Sequence, residues 1–353
     1  MKTVKAVAPY IYPGGINFKH KPYEAWMRLG GQVAPALYPP RWLHGLVFRC
    51  EIPEWVQKGS SRFASLSKFK SLCWNRFFNF QFLRSSSAQA SRARRSIINS
   101  RNEARLRFLE PVSLYFDTFP DYALYEVIPF VWDCWPCYEE KMCKWLERHD
   151  VRTAIFTSAQ TAERMRERFP QMNIMWCAEA VDSTLYTEGK SLAERGIDLM
   201  EFGRSNERVF NVKLPETVKH VSTMQDGKFL YTNEQLYQAM GDAKVTITLP
   251  RSITQPEIAG DIETLTQRYW ECMLSRMVML GHAPKELVDL IGYNPVIELD
   301  TINAIDQLND IVTHIEDYQS LVDKNRETAI RMGDWTVRMR EVMKWLNGCG
   351  YEV

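Results

Sequence analysis

From residue 151 to residue 299 the chain repeats one pattern. Short apolar runs, each four to seven residues long, are separated by polar or amphipathic stretches. The runs fall at 151–157, 173–178, 197–202, 244–249, 277–280 and 295–299. They are continuous rather than alternating, which is the signature of strands covered on both faces, and hence of a parallel sheet. Amphipathic stretches at 158–169 and 233–240, and another ending near Leu274, supply the helices that cross between them. Strand and helix in alternation specify an α/β fold.

The chain's 353 residues exceed one ordinary core and fit two domains. Ahead of the repeating block, residues 4–12 predict a first strand, and 112–119 and 122–133 read as further strands of the same sheet. Residues 138–148 predict a helix with Met142, Trp145 and Leu146 inward. A composition of 45% hydrophobic and 25% charged residues belongs to a soluble globular protein. The net charge of +1 argues against nucleic acid as the main partner. No apolar run nears the ~20 residues that span a bilayer, and the opening MKTVKAVAPYIYPGG is too short and too aromatic for a signal peptide. A cytoplasmic location is the expectation. Eight scattered cysteines imply reduced thiols. Cys134 and Cys137 form a C-x-x-C, but no second pair completes a tetrahedral zinc set, and buried or helix-start thiols fit better.

One segment departs from the neutral average. Residues 58–107 hold twelve lysines and arginines against a single acid, Glu103, with Phe63, Phe69, Trp74, Phe77, Phe78, Phe80 and Phe82 among them. Basic and aromatic residues together suit an anionic membrane surface, where each cation is worth ~1 kcal/mol. They also suit single-stranded nucleic acid. A third reading makes the aromatics core and the arginines a solvated face.

Chemistry-bearing residues gather late in the chain. Glu263 and Glu271 stand eight positions apart in DIETLTQRYWECMLSRMVMLGHAPKE, with Leu265, Tyr269, Trp270, Met273 and Leu274 supplying an apolar stripe. On a single helix both carboxylates would face one side. Upstream, Phe202, Gly203 and Arg204 close a strand; Gly lets the backbone turn near a diphosphate, and the forked Arg cation grips two phosphate oxygens. Arg251 follows the 244–249 strand and precedes an expected loop at 252–261, and Arg268 lies between the glutamates. Gly14 and Gly15 end the first strand, either as a ligand-approach loop or as an ordinary turn.

These residues resemble the Glu-x7-Glu element, the Phe-Gly-Arg strand end and the preceding Val181-Asp182 linker of retaining GT-B glycosyltransferases of family four (glycosyl transferases group 1). The resemblance implies two Rossmann-like domains facing across a cleft. An acceptor-side domain would cover 1–185 and a nucleotide-sugar-binding domain 186–325, with the C-terminal helix of 326–353 crossing back to the first domain. It implies transfer of a sugar from a nucleotide-sugar to a hydroxyl of a glycan or lipid-linked glycan, with retention. Glu263 would meet the donor sugar and Glu271 the ribose. Gly14, Gly15, Arg204, Arg251, Arg268 and Tyr231 would complete the donor site, and Asp133 would stand on the acceptor side. Neither metal nor cofactor is expected. Peripheral contact with anionic membrane through 58–107 accords with a lipid-linked acceptor. The alternatives are another nucleotide-sugar enzyme on this fold, inverting transferase or epimerase, and a non-catalytic lipid- or RNA-binding protein.

Overall fold

The computed structural model describes residues 1–10, 18–36, 98, 101–118, 120–203, 206, 210, 214–225, 228–229 and 232–353. They form two compact units. The first comprises Met1–Thr157, Thr161–Cys177 and Met339–Val353; the second comprises Ser158–Gln160 and Ala178–Arg338.

The first unit is built on β1 (Lys2–Val7), β2 (Val33–Ala34), β3 (Glu103–Leu109), β4 (Glu126–Val131), β5 (Thr153–Phe156) and β6 (Asn173–Trp176). The second contains β7 (Ile197–Glu201), β8 (His220–Ser222), a hairpin of β9 (Met224–Gln225) and β10 (Lys228–Phe229), β11 (Ala243–Thr248), β12 (Val278–Gly281) and β13 (Val296–Glu298). The chain then returns to the first unit, where β14 (Tyr351–Glu352) pairs with β1. The larger sheets run β14-β1-β3-β4-β5-β6, with β2 beside β1, and β13-β12-β11-β7-β8. Every pairing described in these two sheets is parallel. The continuous apolar runs account for this, since a strand such as Val278–Gly281 is buried along its whole length.

Three local readings are corrected. The strand expected at 112–119 is not formed at 112–118, and residue 119 lies outside the described residues: Pro111–Ser113 is a 3-10 turn and Leu114–Thr118 a helix, with Leu114 and Phe116 buried. The loop expected after Arg251 contains two short helices, Arg251–Thr254 and Pro256–Ala259. The third correction is β3, which the basic composition of 58–107 concealed. Residues 58–97, 99 and 100 of that segment lie outside the described residues. In the part that is described, Ala104, Leu106 and Phe108 are buried, and so are Arg105 and Arg107. Arg105 Nη2 pairs with Glu103 at 2.8 Å, and Arg107 Nη1 with Asp121 at 3.2 Å. Arg107 Nε donates to the Asp117 carbonyl at 2.5 Å, and Arg105 stacks over the Tyr125 ring. These two cations serve the sheet and are withdrawn from any membrane-facing set. Among the described residues, no helix is long and apolar enough to cross a membrane.

Each unit packs its own core. Leu109, Trp145, Phe156 and Met165 lie at the centre of the first, and Leu199, Val245, Val278 and Leu308 at that of the second. Gly281 ends β12 because a β-carbon there would run into the Thr248 carbonyl of β11. Backbone is the obstacle, so relief requires the strands to part. Gly281→Ala should therefore destabilise the fold by about 1–3 kcal/mol. Denaturant unfolding checks this, and an unchanged midpoint would mean that the two strand ends separate freely.

Candidate functional site

The glutamate pair does not share a helix. The helix Gln267–Leu274 starts four residues after Glu263, with Thr266 extended at its N-cap (φ −88°, ψ 164°). Glu263 stands in the preceding loop because the loop's backbone is held by side chains rather than by helical bonds. The Glu263 N–H donates to Gln160 Oε1 at 2.7 Å, and Gln160 Nε2 donates to the Asp261 carbonyl at 3.1 Å. A third side chain, Glu286, accepts from the Leu265 N–H, from Thr264 Oγ1 at 3.2 Å and from the Ala159 N–H at 2.7 Å. Burial pushes the Glu286 carboxyl up to about 7 despite these donors.

Glu271 lies on the helix, flanked by the buried Trp270 and Cys272. Its Oε1 accepts from the Tyr186 hydroxyl at 2.8 Å. Burial raises its pKa, while the Tyr186 bond and the nearby Arg268 cation pull it down. Tyr186 is itself buried and edge-on to Tyr237, 5.0 Å between ring centroids. Arg268 lies over the Phe202 ring at 5.5 Å and presses against Gly203, where a β-carbon would meet its guanidinium. Gly203 adopts φ 76°, so both space and backbone favour glycine. Among the described residues Arg268 makes no ion pair or hydrogen bond. Arg251 opens the short helix after β11 and bonds Gln255 through Nε at 2.9 Å. Gly14, Gly15, Arg204 and Tyr231 lie outside the described residues.

At the end of β12, His282 sits between two acids. Nε2 is 3.3 Å from Glu263 Oε1, and Nδ1 is 2.8 Å from Glu298 Oε1. Sequence reasoning missed His282, Glu286, Gln160 and Tyr186. A histidine directly after a strand-end glycine, in a chain with six histidines, was the only local signal for the first. The others are defined by partners as many as 127 positions away.

Asp133, in the first unit, follows β4 at φ 50°, a left-handed conformation that Asp tolerates better than most residues. It adds to the charge around Glu110, whose pKa is raised first by burial, lowered by Lys19 and raised again by Asp133 and Asp117. Lys19 is buried there, 2.9 Å from Asp117 and 3.4 Å from Glu110. Among the nearby cysteines, Cys134 and Cys143 are buried thiols; burial pushes Cys134 well above its ordinary value and Cys143 to about 11.

Solved structures share the fold. Anabaena Alr3699/HepE, solved in complex with UDP and glucose, aligns over 99% of this chain and 100% of its own, with TM-score 0.58 and 9% identity. The N-terminal domain of Candida albicans trehalose-6-phosphate phosphatase aligns over 98% and 96%, with TM-score 0.54 and 9% identity. The UDP-forming α,α-trehalose-phosphate synthase of Burkholderia vietnamiensis does so over 98% and 96%, with TM-score 0.51 and 11% identity. The fold is GT-B. No protein-family model matches the chain, and no curated protein matches it in sequence.

Burial of Glu286 makes the stability of the fold depend on pH. A carboxyl whose folded pKa is raised stabilises the fold fully below its unfolded value and loses that contribution as pH rises toward 7. Glu286→Gln removes the titration. The variant's stability relative to the parent should therefore improve between pH 5 and 8, by at most about 1.4 kcal/mol per pH unit. Unfolding both proteins across that range checks it, and a flat difference would show that Glu286 is not strained by burial.

Proposed function

We propose that this chain is a glycosyltransferase that moves a sugar from a nucleotide-sugar donor to an acceptor hydroxyl, with retention at the anomeric carbon. The observation that carries the reading is the grouping of Glu263, Arg268 and Glu271 about the helix Gln267–Leu274 in a chain of GT-B fold. The aligned Anabaena protein binds UDP and UDP-glucose, and the aligned Burkholderia protein is a UDP-forming synthase.

For Glu271, Arg268 and Glu263 the surroundings support distinct roles. Glu271 accepts from the ribose hydroxyls, and Tyr186 fixes one carboxylate oxygen so that the other is presented in a single orientation. Arg268, near Glu271 but with no ion pair or hydrogen bond among the described residues, offsets the donor diphosphate, together with Arg204 and Arg251. Glu263, on the loop ahead of the helix, meets the donor sugar. Gly14, Gly15 and Tyr231 belong to the donor side by resemblance, and Asp133 to the acceptor side. Fixed cations suffice for the diphosphate charge in this scheme, so no metal is invoked. A glycan or lipid-linked acceptor is part of the same proposal.

Two substitutions separate the roles. Glu271→Gln keeps the shape but gives up a charged acceptor, so nucleotide affinity should fall about tenfold for each ~1.4 kcal/mol lost. Glu263→Gln should lower turnover while nucleoside diphosphate binding stays nearly constant. Calorimetry with UDP, GDP, CDP and dTDP, followed by turnover of the matching nucleotide sugars, reads both. If neither variant changes either quantity, or if no nucleotide binds, the assignment falls. The configuration of the product anomer, read by NMR, decides retention against inversion.

A further inference from the structure

His282 has an arrangement that only one protonation state satisfies. Both ring nitrogens face carboxylate oxygens, Glu298 at 2.8 Å and Glu263 at 3.3 Å. Neutral imidazole has one N–H, so either tautomer would set a lone pair against a carboxylate. Imidazolium donates to both. The backbone that carries the ring is also fixed: the His282 N–H donates to the Thr248 carbonyl at 3.0 Å, and the Tyr269 hydroxyl donates to the His282 carbonyl at 2.7 Å. The ring itself is held by the two carboxylates.

We infer that His282 is a positioning residue for Glu263: as an imidazolium bridged to Glu298 it holds the Glu263 carboxylate in one orientation, and it makes turnover depend on its own proton. The inference rests on the donor-sugar role proposed for Glu263. Glu263 has an anchored backbone, through Gln160, but the described residues give its carboxylate no ion-pair partner other than His282. The groups facing His282 are Glu298 from β13, Glu263 from the loop and the Tyr269 hydroxyl from the helix, with Glu286 behind Glu263. Burial alone would lower the histidine's pKa. The Glu298 bond and the two acidic charges outweigh it, and the net shift is upward from 6.5. The clamp is therefore present at lower pH and is released as pH rises through the raised value.

The test uses the full chain with 13C-labelled histidine; His282→Gln identifies the resonance. His282 should titrate above 6.5 in the parent and lower in both Glu298→Gln and Glu263→Gln. Turnover of the active donor should fall about tenfold per pH unit above the His282 pKa, with nucleoside diphosphate affinity unchanged across that limb. Glu298→Gln should move the limb and the titration down together. A His282 that titrates at or below 6.5, or that ignores Glu263→Gln, overturns the inference whether or not a donor has been found. So does a limb that stays in place while the titration moves. Absence of turnover with every nucleotide sugar strikes instead at the glycosyltransferase assignment, and the titration of Glu263→Gln still decides whether the clamp exists.

Discussion

A buried carboxylate with no cation beside it holds the candidate site together. Glu286 is 6% exposed, and among the described residues no lysine, arginine or histidine pairs with it. Burying such a group is unfavourable unless donors surround it, and here the Ala159 and Leu265 amides and the Thr264 hydroxyl do so. Those donors come from separate stretches of chain. Satisfying one side chain therefore fixes the backbone of 264–265 relative to 158–160, and Gln160 extends the same clamp to 261 and 263. A loop ordered by side-chain acceptors has no need of helical bonds. That is why the helix waits until Gln267 and why Glu263 stands apart from it.

The two glutamates consequently live in different surroundings. Glu271 is placed by a rigid helix and a buried tyrosine. Glu263 is placed by a loop and by a histidine that is about a third exposed. A carboxylate on a helix suits a ligand part that does not change during reaction, such as ribose. One on a side-chain-ordered loop can follow a group whose charge develops, and it is correspondingly open to control by a proton. The equal spacing of the pair in sequence conceals this division.

How much was legible follows from where each signal resides. The parallel strands were readable because burial on both faces leaves an unbroken apolar run, as at Val278–Gly281 and Ala243–Thr248. Strand β3 was not, because Arg105 and Arg107 interrupt it. Their charges are matched by Glu103 and Asp121, and a partner some fourteen positions distant does not show in local composition. Leu114–Thr118 was mistaken for a strand because LYFDT is aromatic and apolar, and because the burial of Leu114, Phe116, Asp117 and Thr118 leaves so short a helix no polar face to show its period. Glu263 and Glu271 were found by spacing, Arg268 by lying between them. His282, Glu286 and Tyr186 owe their roles entirely to tertiary partners. Short-range pattern finds the candidate residues and passes over those that hold them in place.

Gly203 shows the two kinds of information meeting. In sequence it is the middle of Phe-Gly-Arg, valued for backbone freedom; in the structure its positive φ bears that out, and its missing side chain is the space that Arg268 fills. Phe202 supplies the ring beneath the same guanidinium. A cation resting on an aromatic face and against bare backbone keeps its charge while making few hydrogen bonds of its own. Among the described residues its N–H groups find no acceptor, in contrast to Arg195, whose guanidinium is consumed by the carbonyls of Glu188, Lys190, Ala243 and Ser275. Burial lowers the Arg195 pKa to about 10, as befits a structural cation surrounded by peptide oxygens. The two arginines, both within the second unit, are thus held differently: Arg195 by peptide carbonyls, Arg268 by an aromatic face and the bare backbone of Gly203.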